Sequence, residues 1–430
     1  MIKKPSVLVV ASPTLKGTGG NFRAFRSIEE YSRFFDTYLF IPWGLWSDKK
    51  FLLDSSKYLL YLKNLGVRFS GYSYIPNILY KLRKSVGIGF FELIVPMVFP
   101  GIAKLNVALS NYDATVVLHE NWDAIYSGSV LSKLFNTPSM ALLQLPPFYG
   151  SKERFRNIVK ALLLWRKLRS SSFMEEILFQ MEAVSREVSL NHVQKKRYKS
   201  ILTKYTVILG VSKAIPIEMG DEWTNRVVSL DPGVSLTDDE QKIIMYIKSR
   251  TKEKKNYLIF GGRPGAYKGL PEALLVFKQI SKAYSNLKFV VTGYVEAKTL
   301  AILKRVTRKL GIDDKVVFSG FVSREERLKL VAEAKLMIYP SHVDSFSYAV
   351  LESLCLGTPV VAYDIPAIRI YYGHSPGVEL IKEWSLEEMA IKVLDLLEHK
   401  MDDVKPPKIK SWEEIMSEEI NIINKLVVSK

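Results

Sequence analysis

Short apolar runs alternate with stretches of helical periodicity along nearly the whole chain, and this alternation constrains the fold more than any other feature. The runs of the first half are Val7–Ala11, Tyr38–Ile41, Val67–Ser70, Thr115–His119, Met140–Leu145 and Val207–Val211. Those of the second half are Tyr257–Phe260, Phe289–Thr292, Val316–Ser319, Leu336–Tyr339 and Val360–Tyr363. Such alternation is typical of parallel α/β sheets. Two series of this kind predict an α/β fold with two doubly wound sheets, which bind ligands at the carboxyl ends of their strands.

A change in composition marks the join between the two series. Asp231–Gly233 contains turn-favouring residues, and a polar stretch, Ser235–Glu240, follows it. Near the end of the chain, Trp412–Val428 has the pattern of an amphipathic helix. The basic stretch Ser151–Lys204 is expected to elaborate the first domain. The predicted parts are residues 1–232, residues 233–408 and a C-terminal helical segment over residues 409–430.

Composition excludes several classes of protein. The chain has 430 residues, 48% of them hydrophobic, which is enough for two cores and too apolar for a disordered chain. Its single cysteine, Cys355, excludes an intramolecular disulfide, a thiolate metal cluster and a CxxC redox pair. Five histidines without HExxH or paired spacing predict no metal site. A net charge of +17 favours an anionic partner, such as nucleic acid, an acidic membrane or a phosphorylated ligand.

The loop Gly261–Gly269 joins a predicted strand to the helical stretch Leu270–Ile280. Its glycines let the backbone approach a ligand closely, and the start of the helix favours an anion. Arg263 offers a planar fork and Lys268 a compact charge, and together they suit a diphosphate. The alternative is an ordinary strand-to-helix turn with exposed charges. A Walker-type phosphate loop is excluded because GxxxxGK[ST] is absent.

A second polar loop leads from the strand ending at Tyr339 into an apolar helix that ends before Gly357. Ser345 or Ser347 fits the N-cap of this helix, and Gly357 fits its C-terminal cap. Glu352 is the one charged residue of the helix and lies less than two turns from its start. Such a carboxylate can accept two hydroxyl hydrogen bonds, as from a ribose; the alternative is a carboxylate paired with a buried Arg or Lys.

A third glycine-rich segment, Lys16–Asn21, follows the first predicted strand. Loops at this place commonly approach phosphate or sugar, although the nucleotide fingerprint GxGxxG is not matched here. By itself the segment does not define a ligand.

Taken together and in this order, these motifs resemble those of the family 4 glycosyltransferases, which have the GT-B fold, use nucleoside-diphosphate sugars and retain the anomeric configuration. The family has a Gly-Gly loop after the first strand, here Gly19-Gly20. It has Gly-Arg and Lys-Gly pairs after the first strand of the second domain, here Gly262-Arg263 and Lys268-Gly269. It also has two carboxylates separated by seven residues before a Gly-x-Pro-Val-Val-Ala run; these are Asp344 and Glu352 here.

The resemblance implies two Rossmann-like domains facing across a cleft: an N-terminal acceptor domain, a C-terminal donor domain and a last helix crossing back to the first domain. Arg263 and Lys268 then bind the donor diphosphate and stabilise the leaving group. Asp344 contacts the donor sugar, and Glu352 takes the ribose hydroxyls. Further donor-binding residues are Gly19, Gly20, Gly262, Ser345, Phe346 and Ser347. The nucleoside-diphosphate sugar is a co-substrate, and neither a metal nor another cofactor is expected.

The sequence departs from the family pattern at several places. Asp344 is one methylene shorter than the family's Glu, and Ser345–Ser347 replaces Gly-Phe-Gly. Gln144 stands where the family often has a His after the fifth strand. His119 ends the preceding strand, at another family position that faces the cleft. His119 is therefore a candidate catalytic residue, and a structural histidine is the alternative.

The motifs favour an enzyme that transfers a hexose-type sugar to a glycan or lipid-linked acceptor, and other function classes compete with it. A catalytically silent GT-B subunit that partners an active enzyme fits the departures at Asp344 and Gln144. A nucleic-acid-binding protein fits the positive charge, but no nucleic-acid motif accompanies it, so no nucleic-acid partner is expected. A GT-B epimerase or phosphorylase matches the motifs less well.

The first domain is also expected to contact an anionic membrane peripherally. Leu93–Ala103 is apolar and lies near the basic Lys81–Lys84, and more basic residues surround Ala161–Trp165. The alternative is a buried helix with a solvated basic face. The sequence contains no run of about 20 uncharged apolar residues, so no membrane-spanning helix is expected. The segment Ser6–Ala11 fits a buried strand better than a signal peptide. The expected location is the cytoplasm, including the inner face of the plasma membrane.

Overall fold

The chain divides into two compact units, neither of which is continuous in sequence. The computed structural model describes residues 4–12, 19–42, 58–74, 104–170, 172–399, 401 and 403–429, without the side chains of 178, 179 and 182–194. The first unit comprises Met1–Gly150, Arg186–Ser235 and Lys410–Lys430. The second unit comprises Ser151–Ser185 and Leu236–Ile409.

The first unit is built on one twisted sheet. Its strands are β1 (Ser6–Val10), β2 (Asp36–Ile41), β3 (Arg68–Tyr74), β4 (Lys104–Val107), β5 (Ala114–Val117), β6 (Ser139–Leu143), β7 (Val207–Gly210) and β8 (Val228–Ser229). They lie in the order β4-β3-β2-β1-β5-β6-β7-β8, and neighbours are parallel except β3 and β4. Every residue of β1, β5 and β6 is buried, as expected for central parallel strands covered on both faces.

The second unit has an all-parallel sheet. Its strands are β9 (Tyr257–Phe260), β10 (Lys288–Thr292), β11 (Val316–Gly320), β12 (Leu336–Tyr339), β13 (Val360–Tyr363) and β14 (Val378–Ile381). Their spatial order is β11-β10-β9-β12-β13-β14. Counted within the unit this is the order 3-2-1-4-5-6 of dinucleotide-binding domains, with the switch point between β9 and β12.

Helices connect the strands and cover the sheets. In chain order the described helices are α1 (Gly20–Phe34), α2 (Trp122–Leu134), α3 (Lys152–Arg169), α4 (Phe173–Leu202), α5 (Ala214–Met219), α6 (Asp238–Arg250), α7 (Leu270–Ala283), α8 (Ala297–Leu310), α9 (Arg324–Glu333), α10 (Tyr348–Cys355), α11 (Pro366–Tyr372), α12 (Leu386–Glu398) and α13 (Trp412–Val428). The last of these begins with a capping box in which Ser411 and Glu414 bind each other's backbone N–H groups. It packs on α1, so the expected return of the C-terminal helix to the first domain is confirmed.

The predicted α/β architecture with two doubly wound sheets is confirmed. Each apolar run picked out in the sequence is a strand, with ends shifted by a few residues. The sequence analysis missed β4, β8 and β14. These are short edge strands, and with one neighbour each they need no continuous apolar run.

The basic stretch after residue 150 is placed differently from the sequence-based expectation. The structure groups Ser151–Ser185 with the second unit, whereas the sequence assigned Ser151–Lys204 to the first domain. The physical reason is that α3 packs against α7 and α8. At the end of α3, Lys309 Nζ donates to the Ser170 carbonyl at 2.8 Å. A basic helical pattern predicts a helix but not the surface on which it packs.

Several predicted features of the first domain lie outside the described residues. These are the apolar stretch Leu93–Ala103, the basic residues Lys81–Lys84 and residues 16–18 of the glycine-rich segment. Among the helices that are described, none combines the length and apolarity needed to cross a membrane.

Candidate functional site

Two loops meet at the switch point of the second unit. One loop, Gly261–Gly269, follows β9, and the other, Pro340–Ser347, follows β12. The two strands are neighbours in the sheet, but the chain leaves them toward opposite sides of it. The loops therefore emerge side by side, and such a point is where doubly wound domains bind ligands. A hydrogen bond from His342 N to the Tyr267 carbonyl, at 2.9 Å, joins them.

Lys268 lies where these loops meet, in contact with Asp344. The distance from Lys268 Nζ to Asp344 Oδ2 is 2.9 Å, and the ammonium also donates to the Val343 carbonyl at 2.8 Å. Tyr339 donates its hydroxyl to the same carboxylate oxygen of Asp344. Burial disfavours the charged form of Lys268, but attraction to Asp344 and Tyr339 outweighs it, so the pKa of Lys268 is raised. The site thus holds a charged ammonium beside a carboxylate.

Glycine is required where the two loops approach each other. Gly269 has φ +74°, and a Cβ there would lie 2.0 Å from the Pro340 carbonyl oxygen. A Cβ on Gly262 would lie 2.8 Å from the Cβ of Lys268. Arg263 is exposed, and it forms no ion pair or hydrogen bond with any residue that the structure describes. Its guanidinium is therefore available to an anion from solvent.

The helix α10 that follows the second loop is capped at both ends as the sequence predicts. Ser347 Oγ accepts a hydrogen bond from Val350 N at 3.3 Å, which makes Ser347 the N-cap. At the other end Gly357 has φ +74°, and its N–H donates to the Leu354 carbonyl. Ser345 and Phe346 are both buried in the loop before the cap. The loop is thus fixed by its own packing.

Glu352 on α10 is buried and paired with two arginines. Arg327 Nη2 donates to Glu352 Oε2. Arg324 Nη2 lies 2.9 Å from Oε1, which has no hydrogen-bond partner of proper geometry among the described residues. Glu352 is therefore paired with cations, but these are not the buried Arg or Lys that the sequence left open, since the side chains of Arg324 and Arg327 are 42% and 29% exposed. The contact with a ribose stays a prediction. One carboxylate oxygen keeps acceptor capacity.

The first unit brings together the remaining predicted residues. Gly19 has φ +62° and precedes α1, and a Cβ on Gly20 would lie 2.8 Å from Gln144 Oε1. Gln144 Nε2 donates to the carbonyl of Leu118 at 2.6 Å, one residue before His119. His119 is buried and its Nε2 has no partner in the described part of the chain. Burial and, secondarily, Arg23 lower the pKa of His119 to about 4, so its imidazole is neutral at pH 7.

Sequence reasoning missed the side chains that hold the two carboxylates. Tyr339 binds Asp344, and Arg324 and Arg327 bind Glu352. A lone Glu in an apolar helix signals that some cation must reach it, but the chain has 61 Lys and Arg residues and no pattern selects among them. No cluster of His, Cys, Asp or Glu suited to a metal ion occurs in the described ranges.

Residues 243–409 match the family model described as "Glycosyl transferases group 1". The match contains both loops and α10, and with them Lys268, Asp344 and Glu352. Over these residues the chain is similar to the group 1 glycosyltransferases. The family resemblance drawn from the motifs is thereby confirmed for the second unit.

Several glycosyltransferases are similar to part of the chain in sequence, and solved structures share its fold. The O-antigen chain mannosyltransferase RfbU of Salmonella typhimurium is 26% identical over 46% of this chain and 49% of its own length, so the chain spans about half of that relative. Sucrose-phosphate synthase of Thermosynechococcus elongatus superimposes with TM-score 0.63 at 13% identity, over 99% of this chain and all of that one. HepE of Anabaena, in complex with UDP-glucose, superimposes with TM-score 0.56 at 14% identity, over 99% of this chain and 96% of that one. The fold is GT-B.

Proposed function

We propose that the protein is a retaining glycosyltransferase that moves a hexose-type sugar from a nucleoside-diphosphate sugar to a glycan or lipid-linked acceptor, without a metal ion. The observation that carries the proposal is the Lys268–Asp344 pair, 2.9 Å from nitrogen to oxygen, at the switch point of a group 1 glycosyltransferase domain. The UDP-glucose complex of HepE and the mannosyltransferase name of RfbU support a nucleotide-linked hexose as the donor class.

The proposed chemistry depends on stabilising the leaving group. As the nucleoside diphosphate departs, negative charge builds on its β-phosphate, and preorganised cations nearby lower that barrier. Lys268 is held charged, and Arg263 is exposed on the same loop, so both can bind one diphosphate. The loop leads directly into the N-terminus of α7, where the helix dipole also favours an anion. The leaving phosphate then accepts the proton of the acceptor hydroxyl.

The other predicted residues have roles around this centre. Asp344 contacts the donor sugar, Glu352 accepts from the ribose hydroxyls, and the loop Ser345–Ser347 borders the diphosphate. In the first unit the neutral imidazole of His119 offers its unpaired Nε2 to a substrate hydroxyl. Gly19 and Gly20 allow close approach of the backbone to substrate.

The test begins with the ligand. UDP, GDP, ADP and their hexose conjugates are ranked by the rise in thermal midpoint, because a ligand stabilises the folded state by mass action. With the donor identified, transfer is measured, and the anomeric configuration of the product is read by NMR. Lys268→Met should lower kcat about 10²–10³-fold, since it removes one preorganised donor. Transfer should survive EDTA. Inverted product, reversible loss on chelation or normal kcat in Lys268→Met would each contradict a part of the proposal.

A second candidate is a catalytically silent GT-B subunit that partners an active enzyme. The observation that favours it is Asp344 in place of the family's Glu, with its carboxylate engaged by Lys268 and Tyr339. This candidate predicts nucleotide binding without either transfer or donor hydrolysis. Asp344→Glu, which restores the family residue, should then leave the protein inactive.

A further inference from the structure

A buried chain of charged groups lies behind the loop that carries Asp344. The side chain of His342 is fully buried between two carboxylates, with Nε2 2.8 Å from Glu272 Oε1 and Nδ1 2.8 Å from Glu383 Oε1. Arg154 Nη1 lies 2.5 Å from the second oxygen of Glu383. The four groups come from α7, the Pro340–Ser347 loop, the segment before α12, and α3.

The packing around His342 leaves its ring little freedom. The indole of Trp384 stacks on the imidazole with ring centroids 5.0 Å apart, and the ring of Tyr363 lies 5.1 Å away on β13. Asn157, one turn along α3 from Arg154, donates to Glu383 at 2.8 Å. The cluster is therefore fixed by packing as well as by charge.

The backbone of His342 connects this cluster to the two loops of the candidate site, Gly261–Gly269 and Pro340–Ser347. Its N–H donates to the Tyr267 carbonyl, next to Lys268, and its carbonyl accepts from Arg154 Nη2 at 2.7 Å. The next carbonyl along the chain, that of Val343, binds Lys268 Nζ. A displacement of His342 would therefore move the Val343 carbonyl that binds Lys268. It would also disturb Tyr267, the residue that precedes Lys268 in the other loop.

The hydrogen bonds of His342 require an extra proton in the cluster. A neutral imidazole has one N–H, yet both ring nitrogens lie within hydrogen-bond distance of a carboxylate oxygen. The extra proton resides on His342 or on Glu272. Burial raises the pKa of Glu272, while for His342 the two carboxylates outweigh burial and also raise the pKa. With that proton, and with Arg154 balancing Glu383, the cluster is neutral.

We propose that Arg154, Glu383 and His342 are positioning residues that hold the Asp344 loop in the place needed to bind the donor diphosphate. The helix α3, which precedes the matched family domain, would then control the geometry of a site it does not itself line. The inference rests on the proposed function for its catalytic readout, but its structural readout needs no ligand.

The structural test compares Arg154→Ala with Arg156→Ala, an exposed arginine of the same helix. Hydrogen–deuterium exchange of the peptides covering residues 340–347 and 264–269 should quicken in Arg154→Ala and stay at the wild-type rate in Arg156→Ala. Equal exchange in the two variants would overturn the proposal. If exchange quickens but the protein binds none of UDP, GDP and ADP, the proposed function fails while the positioning role stands.

The catalytic test uses rescue by a conservative variant. Arg154→Ala should lower kcat/KM about 10–100-fold, because small misplacements of reacting groups have effects of this size. Arg154→Lys keeps the charge but cannot bind Glu383 and the His342 carbonyl with one planar fork, so it should recover only part of the loss. Full activity in Arg154→Ala would contradict the assignment.

A pH profile separates positioning from simple structural support. The charged or titratable groups facing His342 are Glu272, Glu383, Arg154 and Tyr363, and Lys160 lies over the Trp384 ring. As pH rises past the ordinary histidine range, loss of the extra proton leaves a buried negative charge and one broken hydrogen bond. Wild-type kcat/KM should then fall with an apparent pKa above about 6.5. His342→Gln should lack this alkaline limb; an unchanged limb would refute the role of His342.

Discussion

At the scale of single residues, the two carboxylates of the glycosyltransferase motif differ in what already binds them. Asp344 Oδ2 accepts hydrogen bonds from both Lys268 and Tyr339. Lys268 belongs to the loop Gly261–Gly269, and Tyr339 is the last residue of β12. Glu352 is more deeply buried, and its cations come from α9. A change at Asp344 therefore disturbs the proposed reaction centre. A change at Glu352 instead removes the counter-charge of Arg327 and one of the two carboxylates that pair with Arg324, the other being Glu240.

Neutral isosteres at these positions should consequently have different effects. Glu352→Gln should raise the Kd for the nucleoside diphosphate and lower the thermal midpoint, because it removes a ribose acceptor and the partner of Arg324 and Arg327. Asp344→Asn should mainly lower kcat, with a smaller change in Kd. Calorimetric titration with the nucleotide and steady-state kinetics measure the two effects. Wild-type binding and turnover in both variants would end the assignment of this motif.

His119 gives a pH-dependent contribution to stability with a defined sign. Its folded pKa is about 4, below the ordinary value of about 6.5, so the folded state disfavours the proton. The contribution is present above about pH 6.5 and is lost as pH falls toward 4, by about 3 kcal/mol in all. Urea unfolding of wild type and His119→Asn at pH 7 and pH 4.5 should show a smaller acid loss in the variant. Equal losses would contradict burial of a neutral imidazole.

At the scale of elements, α13 is joined to α1 by a buried polar network. Glu419 is fully buried and accepts hydrogen bonds from Arg23 and from the Tyr31 hydroxyl. Arg23 Nε also donates to the Gly233 carbonyl at 2.9 Å. The amphipathic pattern of α13 predicts that one face is buried, but this network determines which helix it packs against.

Removing the carboxylate of Glu419 should destabilise the first unit strongly. Glu419→Ala leaves Arg23 buried without its counter-charge, which typically costs about 3–5 kcal/mol. The adjacent Glu418→Ala is the control, because Glu418 is 45% exposed in its pair with Lys410 and should cost at most about 1 kcal/mol. Chemical denaturation followed by fluorescence measures both. Similar losses in the free energy of unfolding of the two variants would show that the buried pair contributes no more to stability than the exposed one.

The sequence predicts local features of these elements well and their long-range contacts poorly. Apolar runs and capping residues are local signals, so β9, β12 and the helix Trp412–Val428 were predicted correctly, and Ser347 is one of the two residues predicted as the N-cap of α10. The family resemblance assigned Lys268 and Asp344 to the same donor site, but their direct contact was not predicted. The partners of Glu352 and His342 could not, because contacts such as that of Arg154 with Glu383 span 229 positions and leave no periodic trace.

At the scale of the whole molecule, the net charge of +17 should make binding to acidic surfaces depend on salt. We expect co-sedimentation with vesicles that contain anionic lipid at low ionic strength, and release as salt is added. Neutral vesicles of the same size serve as the control. Equal partitioning to neutral and anionic vesicles at low salt would remove the electrostatic basis of the predicted membrane contact and of a lipid-linked acceptor at that surface.

The discontinuous first unit has a consequence for synthesis of the chain. A ribosome releases both segments of the second unit, Ser151–Ser185 and Leu236–Ile409, before it releases α13. Until then Arg23 has no carboxylate from Glu419, and the face of α1 that packs on α13 is uncovered. The unit that begins first is therefore completed last, and during translation the nascent protein has a complete second unit while its first unit still lacks α13.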